Sequence, residues 1–66
     1  MNIQFNGTKR QLALGSTLKQ LIETEGLSEK RLAAEVNLEI IPKSEHINCV
    51  LNEGDTVEIV HAIGGG

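Results

Sequence analysis

The sequence closes on Ile63-Gly64-Gly65-Gly66, directly after an alternating segment, Asp55-Thr56-Val57-Glu58-Ile59-Val60-His61-Ala62, that reads as a β-strand. Three successive residues without Cβ can take almost any backbone conformation and can enter a channel too narrow for other side chains. Four residues from Ile63 reach about 13 Å beyond the domain when extended. An α-carboxylate on Gly66 is ionised at neutral pH and is a poor electrophile until something activates it. The chemistry this pattern offers is activation of a carboxyl group by an outside catalyst. A frayed end or a linker has the same composition, so the rest of the chain must decide between the two.

Other reactive residues form weaker patterns. His46-x-x-Cys49 together with His61 falls short of structural zinc spacing, because a second close pair is missing. Cys49 reads better as a small buried hydrophobe, and as the single cysteine it excludes an internal disulfide framework. No G-x-G-x-x-G, P-loop or Ser/His/Asp ordering occurs. Lys9-Arg10 and Lys30-Arg31 are too short for a nucleic-acid patch and read as solvated surface.

The elements that must position the tail are few. Sixty-six residues make one small domain, domain 1–63 with a flexible glycine tail 64–66, able to hold one helix against one sheet. A catalytic cleft needs walls on several sides, so a chain this short is expected to be handled by an enzyme and not to be one. Without a signal-peptide pattern or a long apolar run, a cytoplasmic setting is expected, with no membrane partner.

Charge is unevenly placed. Residues 1–22 carry Lys9, Arg10 and Lys19 with no acid, whereas residues 44–66 carry Glu45, Glu53, Asp55 and Glu58 with no Lys or Arg. With a net charge of -3, a phosphate backbone is a disfavoured partner and an enzyme with a basic docking face a favoured one.

Met1 to Phe5 alternates, and Asn6-Gly7 is a strong hairpin signal because both residues tolerate positive φ. The return strand, Lys9 to Leu14, is expected to turn Leu12 and Leu14 inward, and Gly15 to break it. Ser16 or Thr17 offers the N-cap of a helix, Thr17 to Gln20 having the capping-box form, with Leu18, Leu21 and Ile22 as its apolar stripe and Gly26 as its stop. Leu32, Ala34 and Val36 alternate with Arg31, Ala33 and Glu35 in a strand solvated on one face. Asn37 to Glu39 turns the chain into Ile40-Ile41-Pro42, which the proline confines to an edge or strand end. Ser44 to Asn48 reads as a loop or single helical turn, and Asn52 to Asp55 as a turn with Gly54 at positive φ. In the last strand both faces are partly apolar. That suits a central strand or a partner surface, and alternation alone leaves Val60 and Ala62 undecided between core and surface. The partner-binding candidates beside the tail are Glu58, Val60, Ala62 and Ile63.

This order, a hairpin, one helix, more strands and a free tail, is an α+β, ubiquitin-like β-grasp arrangement, a mixed sheet packed on one main helix. The whole chain resembles the thiamine-biosynthesis sulfur carrier (ThiS) family of that superfamily. The resemblance rests on the Met1-Asn2-Ile3-Gln4-Phe5-Asn6-Gly7 opening, Thr17-Leu18, the Val36 to Lys43 segment, Leu51-Asn52-Glu53-Gly54-Asp55, and the Val60 to Gly66 ending. It departs from the family's pattern in ending on three glycines where Gly-Gly is general, and in having His46 near a position where many relatives carry an aromatic residue.

The resemblance implies a carrier and not a catalyst, with no cofactor bound to it. An E1-like adenylating enzyme (ThiF type) using ATP and magnesium would adenylate Gly66. Sulfur from a cysteine desulfurase would convert it to a thiocarboxylate, and thiazole synthase (ThiG type) would consume that sulfur. Two other functions share the fold and the tail: an activating subunit of molybdopterin synthase type, and a ubiquitin-like modifier joined through Gly66 to a lysine.

Overall fold

The computed structural model describes residues 1–28 and 31–61. The chain runs β1 (Asn2–Phe5), β2 (Thr8–Gln11), α1 (Leu18–Thr24), β3 (Leu32–Val36), β4 (Glu39–Ile41), a 3₁₀ turn over Lys43–Glu45, and β5 (Thr56–His61). Among the described residues the strands form one mixed sheet in the order β2-β1-β5-β3-β4, so the last strand is the central one. It runs parallel to β1 and antiparallel to β3. The outer pairs, β1 with β2 and β3 with β4, are antiparallel hairpins.

Turn chemistry follows the residue types. Asn6 and Gly7 have φ of 48° and 84°, the paired positive values that a tight two-residue hairpin needs. Asn37 and Leu38, at 53° and 71°, do the same between β3 and β4. Thr17 caps α1 with a reciprocal capping box: its hydroxyl accepts from the Gln20 amide, and the Gln20 side chain accepts from the Thr17 amide. Seven residues are too few for an autonomous helix, so α1 holds its shape by burying Leu18, Leu21 and Ile22 against the sheet. They join Ile3, Phe5, Ala34, Leu51, Val57 and Ile59 in a single core.

Two expectations fail locally. Leu14 is 86 % exposed instead of inward. β2 ends at Gln11, its pairing with β1 closes with the Leu12 bonds to Met1, and the Ser16 amide bonds back to the Ala13 carbonyl over Gly15, placing Leu14 on the corner of a turn. Arg10 is not plain solvated surface: its guanidinium donates to Glu25 Oε2 at 2.9 Å and lies 5.6 Å from the Phe5 ring centroid. It thereby ties β2 to the end of α1 across the edge of the core.

The two turn asparagines also clasp the central strand. The Asn6 amide donates to the Val57 carbonyl, and its side chain accepts from the Ile59 amide at 2.8 Å and donates to the Ile59 carbonyl at 3.2 Å, continuing the parallel ladder past the end of β1. On the other edge, the Asn37 amide donates to the Thr56 carbonyl, while Asn37 Oδ1 accepts from the Thr56 amide and Nδ2 donates to Asp55 Oδ1. Asn37→Gly tolerates the positive φ but deletes these side-chain bonds, at about 0.5–1.5 kcal/mol each. The variant should lose about 1–3 kcal/mol in urea unfolding, and an unchanged midpoint would mean that water replaces the side chain without loss.

Candidate functional site

β5 is the element that leads into the glycine tail, and its residues divide cleanly between two faces. Val57 and Ile59 point to the helix and are buried, whereas Glu58 is exposed and Val60 is 72 % exposed on the opposite face. Val60, undecided between core and surface on alternation alone, is therefore a surface residue. The side chains of Glu58 and Val60 share an open sheet face with the residues paired to them on β3, Glu35 and Ala33 respectively. Ile40, paired with Glu35 on the other side and 67 % exposed, extends the patch onto β4.

Glu35 and Glu58 stand directly opposite each other in the ladder, an arrangement that is mildly destabilising in isolation. The open face thus presents an exposed apolar strip, Val60 with Ala33 and Ile40, crossed by the carboxylates of Glu35 and Glu58. Such a surface complements a partner carrying a basic side chain among apolar ones. Glu35, Ala33 and Ile40 were not singled out as site residues from sequence. Alternation does put Ala33 and Glu35 on a solvated face, but their meeting with β5 depends on a pairing between distant segments. Ala62, Ile63, Gly64, Gly65 and Gly66, the remaining candidates, lie outside the described residues.

Buried polar groups support β5 from below. Asp55 accepts from Asn37 Nδ2 and from the Asn52 amide, which fixes the turn that launches the strand. His46 is 7 % exposed, and its Nε2 lies 3.0 Å from the Ile41 carbonyl. A carbonyl can only accept, so Nε2 carries the proton. His46 fills the space beside the core as an aromatic ring would, and it is not poised as a ligand. Among the described residues no group of three His, Cys, Asp or Glu could hold a metal ion, and no helix is long and apolar enough to cross a membrane.

Cys49 is half-buried against the core. Burial pushes its thiol above the ordinary value, and the Asp55 and Glu39 carboxylates push the same way. The thiolate is the nucleophile in sulfur chemistry, so this thiol is a poor place to hold sulfur.

A mixed sheet grasping one helix, with the central strand leading to a glycine end, defines a ubiquitin-like β-grasp domain. The crystal structure of the thiamine biosynthesis protein ThiS from Geobacter metallireducens superposes with a TM-score of 0.84 over the full length of both chains at 23 % identity, which establishes the likeness of fold. The ThiS family model matches residues 3–66, and the chain belongs to that family. It is 39 % identical over all 66 residues to part of a thiazole synthase of Paramagnetospirillum magneticum, and it spans 20 % of that relative's length. It is 29 % identical over 66 residues to the sulfur carrier protein ThiS of Escherichia coli, with both chains covered completely.

The raised thiol pKa has a directional consequence. A thiol held protonated in the fold favours the native state until pH rises past the unfolded thiol's pKa, and that contribution fades as pH climbs towards the native value. Alkylation of Cys49 by iodoacetamide at mildly alkaline pH should be several-fold slower in the native protein than in urea, and equal rates would contradict the burial argument.

Proposed function

We propose that this protein is a sulfur carrier of thiamine biosynthesis that holds sulfur as a thiocarboxylate on Gly66. The observation that carries the reading is that the family match runs through residue 66, so it takes in the glycine tail as well as the fold. The unsuitability of Cys49, the chain's one thiol, supports the same choice.

The chemistry begins with the Gly66 carboxylate attacking the α-phosphorus of ATP in the pocket of an E1-like adenylating enzyme. The bond to the β-phosphate breaks, pyrophosphate leaves, and the acyl adenylate forms with magnesium neutralising the phosphates. ATP and magnesium belong to that partner's site. The terminal sulfur of a persulfide charged by a cysteine desulfurase then attacks the acyl carbon and expels AMP. A second thiol attacks the resulting acyl disulfide, releasing the thiocarboxylate and leaving a disulfide between the two partner thiols. Thiazole synthase takes the sulfur and returns the carboxylate, so the carrier is a recycled co-substrate. Gly64 and Gly65 suit this chemistry because any Cβ would obstruct a narrow approach to the α-phosphate.

Glu58 and Val60 would dock the partner, with Ala62 and Ile63 continuing the contact towards the tail. A thiazole synthase type of partner is supported by the relative in which a segment similar to this whole chain forms part of a thiazole synthase. The acidic strip through Glu35 and Glu58 supports a basic receiving surface, whose attraction weakens as salt is raised.

Two experiments test the reading. Intact-mass analysis after incubation with the cognate adenylating enzyme, ATP, magnesium and a sulfur source should show one oxygen replaced by sulfur, mapped to Gly66. No mass change with an enzyme proven active on another carrier would refute it. Separately, Val60→Asp should leave the urea midpoint within about 0.5 kcal/mol of the parent, as expected for an exposed site, while weakening affinity for the adenylating enzyme by about tenfold. Unfolding of this variant, or undiminished affinity, would remove Val60 from the docking surface.

A further inference from the structure

Beyond the reading above, a second surface lies on the helix side of the sheet. The chain has six Lys and Arg against nine Asp and Glu. Even so, three of the six cations, Lys19, Arg31 and Lys43, converge on one groove of about 730 Å³. They come from the first turn of α1, the residue before β3 and the 3₁₀ turn, so sequence order hides their meeting. Ile22 and Leu32 supply an apolar floor, and Ile47, 57 % exposed, supplies an apolar wall. Glu23 is the one carboxylate among the described lining residues.

The chemistry of the lining selects among anions. Compact phosphates are held best by the amides and positive dipole of a helix N-terminus. This groove instead runs along the side of α1 from Lys19 to Glu23, and the first-turn amides of Leu18, Lys19 and Gln20 already donate to the Cys49 carbonyl, the His46 carbonyl and the Thr17 hydroxyl. Lysines on flexible stems act as separated point charges over apolar floor and wall. Carboxylates spaced between aliphatic side chains match that distribution better than one concentrated polyanion does.

We propose that this groove docks an acidic, aliphatic-bearing peptide segment of a partner protein, its carboxylates met by Lys19, Arg31 and Lys43 and its apolar side chains by Ile22, Leu32 and Ile47. The groove lies on the helix side, away from the acidic open face of the sheet. One carrier can therefore meet an acidic segment on one side while a basic surface covers the other.

The test is an NMR titration of isotope-labelled protein with the peptide acetyl-Asp-Leu-Asp-Leu-Asp-amide. Saturable amide shifts are expected at Lys19, Ile22, Leu32, Lys43 and Ile47, fading at 1 M salt where screening acts within about 3 Å. The double variant Lys19→Gln, Lys43→Gln changes two exposed side chains, so it should keep its thermal midpoint and bind several-fold more weakly. The proposal is overturned by the absence of saturable shifts, by equal shifts from the Asn counterpart of the peptide or from inorganic phosphate, or by unchanged binding in the double variant. The readout involves neither Gly66 nor an adenylating enzyme, so its failure and a failure of the sulfur-carrier reading are separately visible.

Discussion

The central strand β5 is the constraint on which the rest of this small molecule depends. It is held on one edge by a parallel ladder to β1 and on the other by an antiparallel ladder to β3, and it contributes Val57 and Ile59 to the core. A parallel pair cannot be closed by a tight turn. Here the crossover between β1 and β5 is nearly the whole remaining chain, α1 and the β3–β4 hairpin included. Removing β5 would leave two separate hairpins, each marginal in water, and a seven-residue helix without Val57 and Ile59 in the core it packs on.

The clasps at Asn6 and Asn37 follow from the same need. Where β1 ends, the Asn6 side chain supplies the donor and acceptor that the next strand residue would have supplied to Ile59. Asn37 does the equivalent for Thr56 at the strand's start and engages Asp55 as well. Asparagine suits both tasks because it tolerates positive φ and carries a side-chain amide that imitates the backbone. The strand that carries the tail is thus anchored along its length by local side chains as well as by its neighbours.

With so little volume to enclose, the molecule places its distinctive chemistry on its surfaces. The face away from α1 is acidic and apolar around Glu35, Glu58 and Val60, and the groove beside α1 is basic around Lys19, Arg31 and Lys43. The sequence asymmetry between a basic beginning and an acidic end survives folding, but it is redistributed. Lys43 joins the helix-side cations from the middle of the chain, and Arg10 is drawn into a pair with Glu25.

Much of the local structure was legible in the residues themselves. The Asn6-Gly7 hairpin, the Thr17 capping box, the Leu18, Leu21 and Ile22 stripe, and the Gly54 turn follow from short-range sterics and hydrogen bonding, which act within four residues. The family resemblance was legible too, because its pieces run in order along the whole chain and end on the glycines. What the sequence could not decide was every feature that joins distant segments. Which face Val60 takes depends on register against β1 and β3, since both faces of β5 are partly apolar. The exposure of Leu14 depends on where β2 leaves its ladder, the opposition of Glu35 and Glu58 on β3 meeting β5, and the basic groove on three elements converging. Periodicity reports a residue's neighbours along the chain, whereas pairing across the sheet is chosen by burial of the common core, and only the tertiary structure contains that choice.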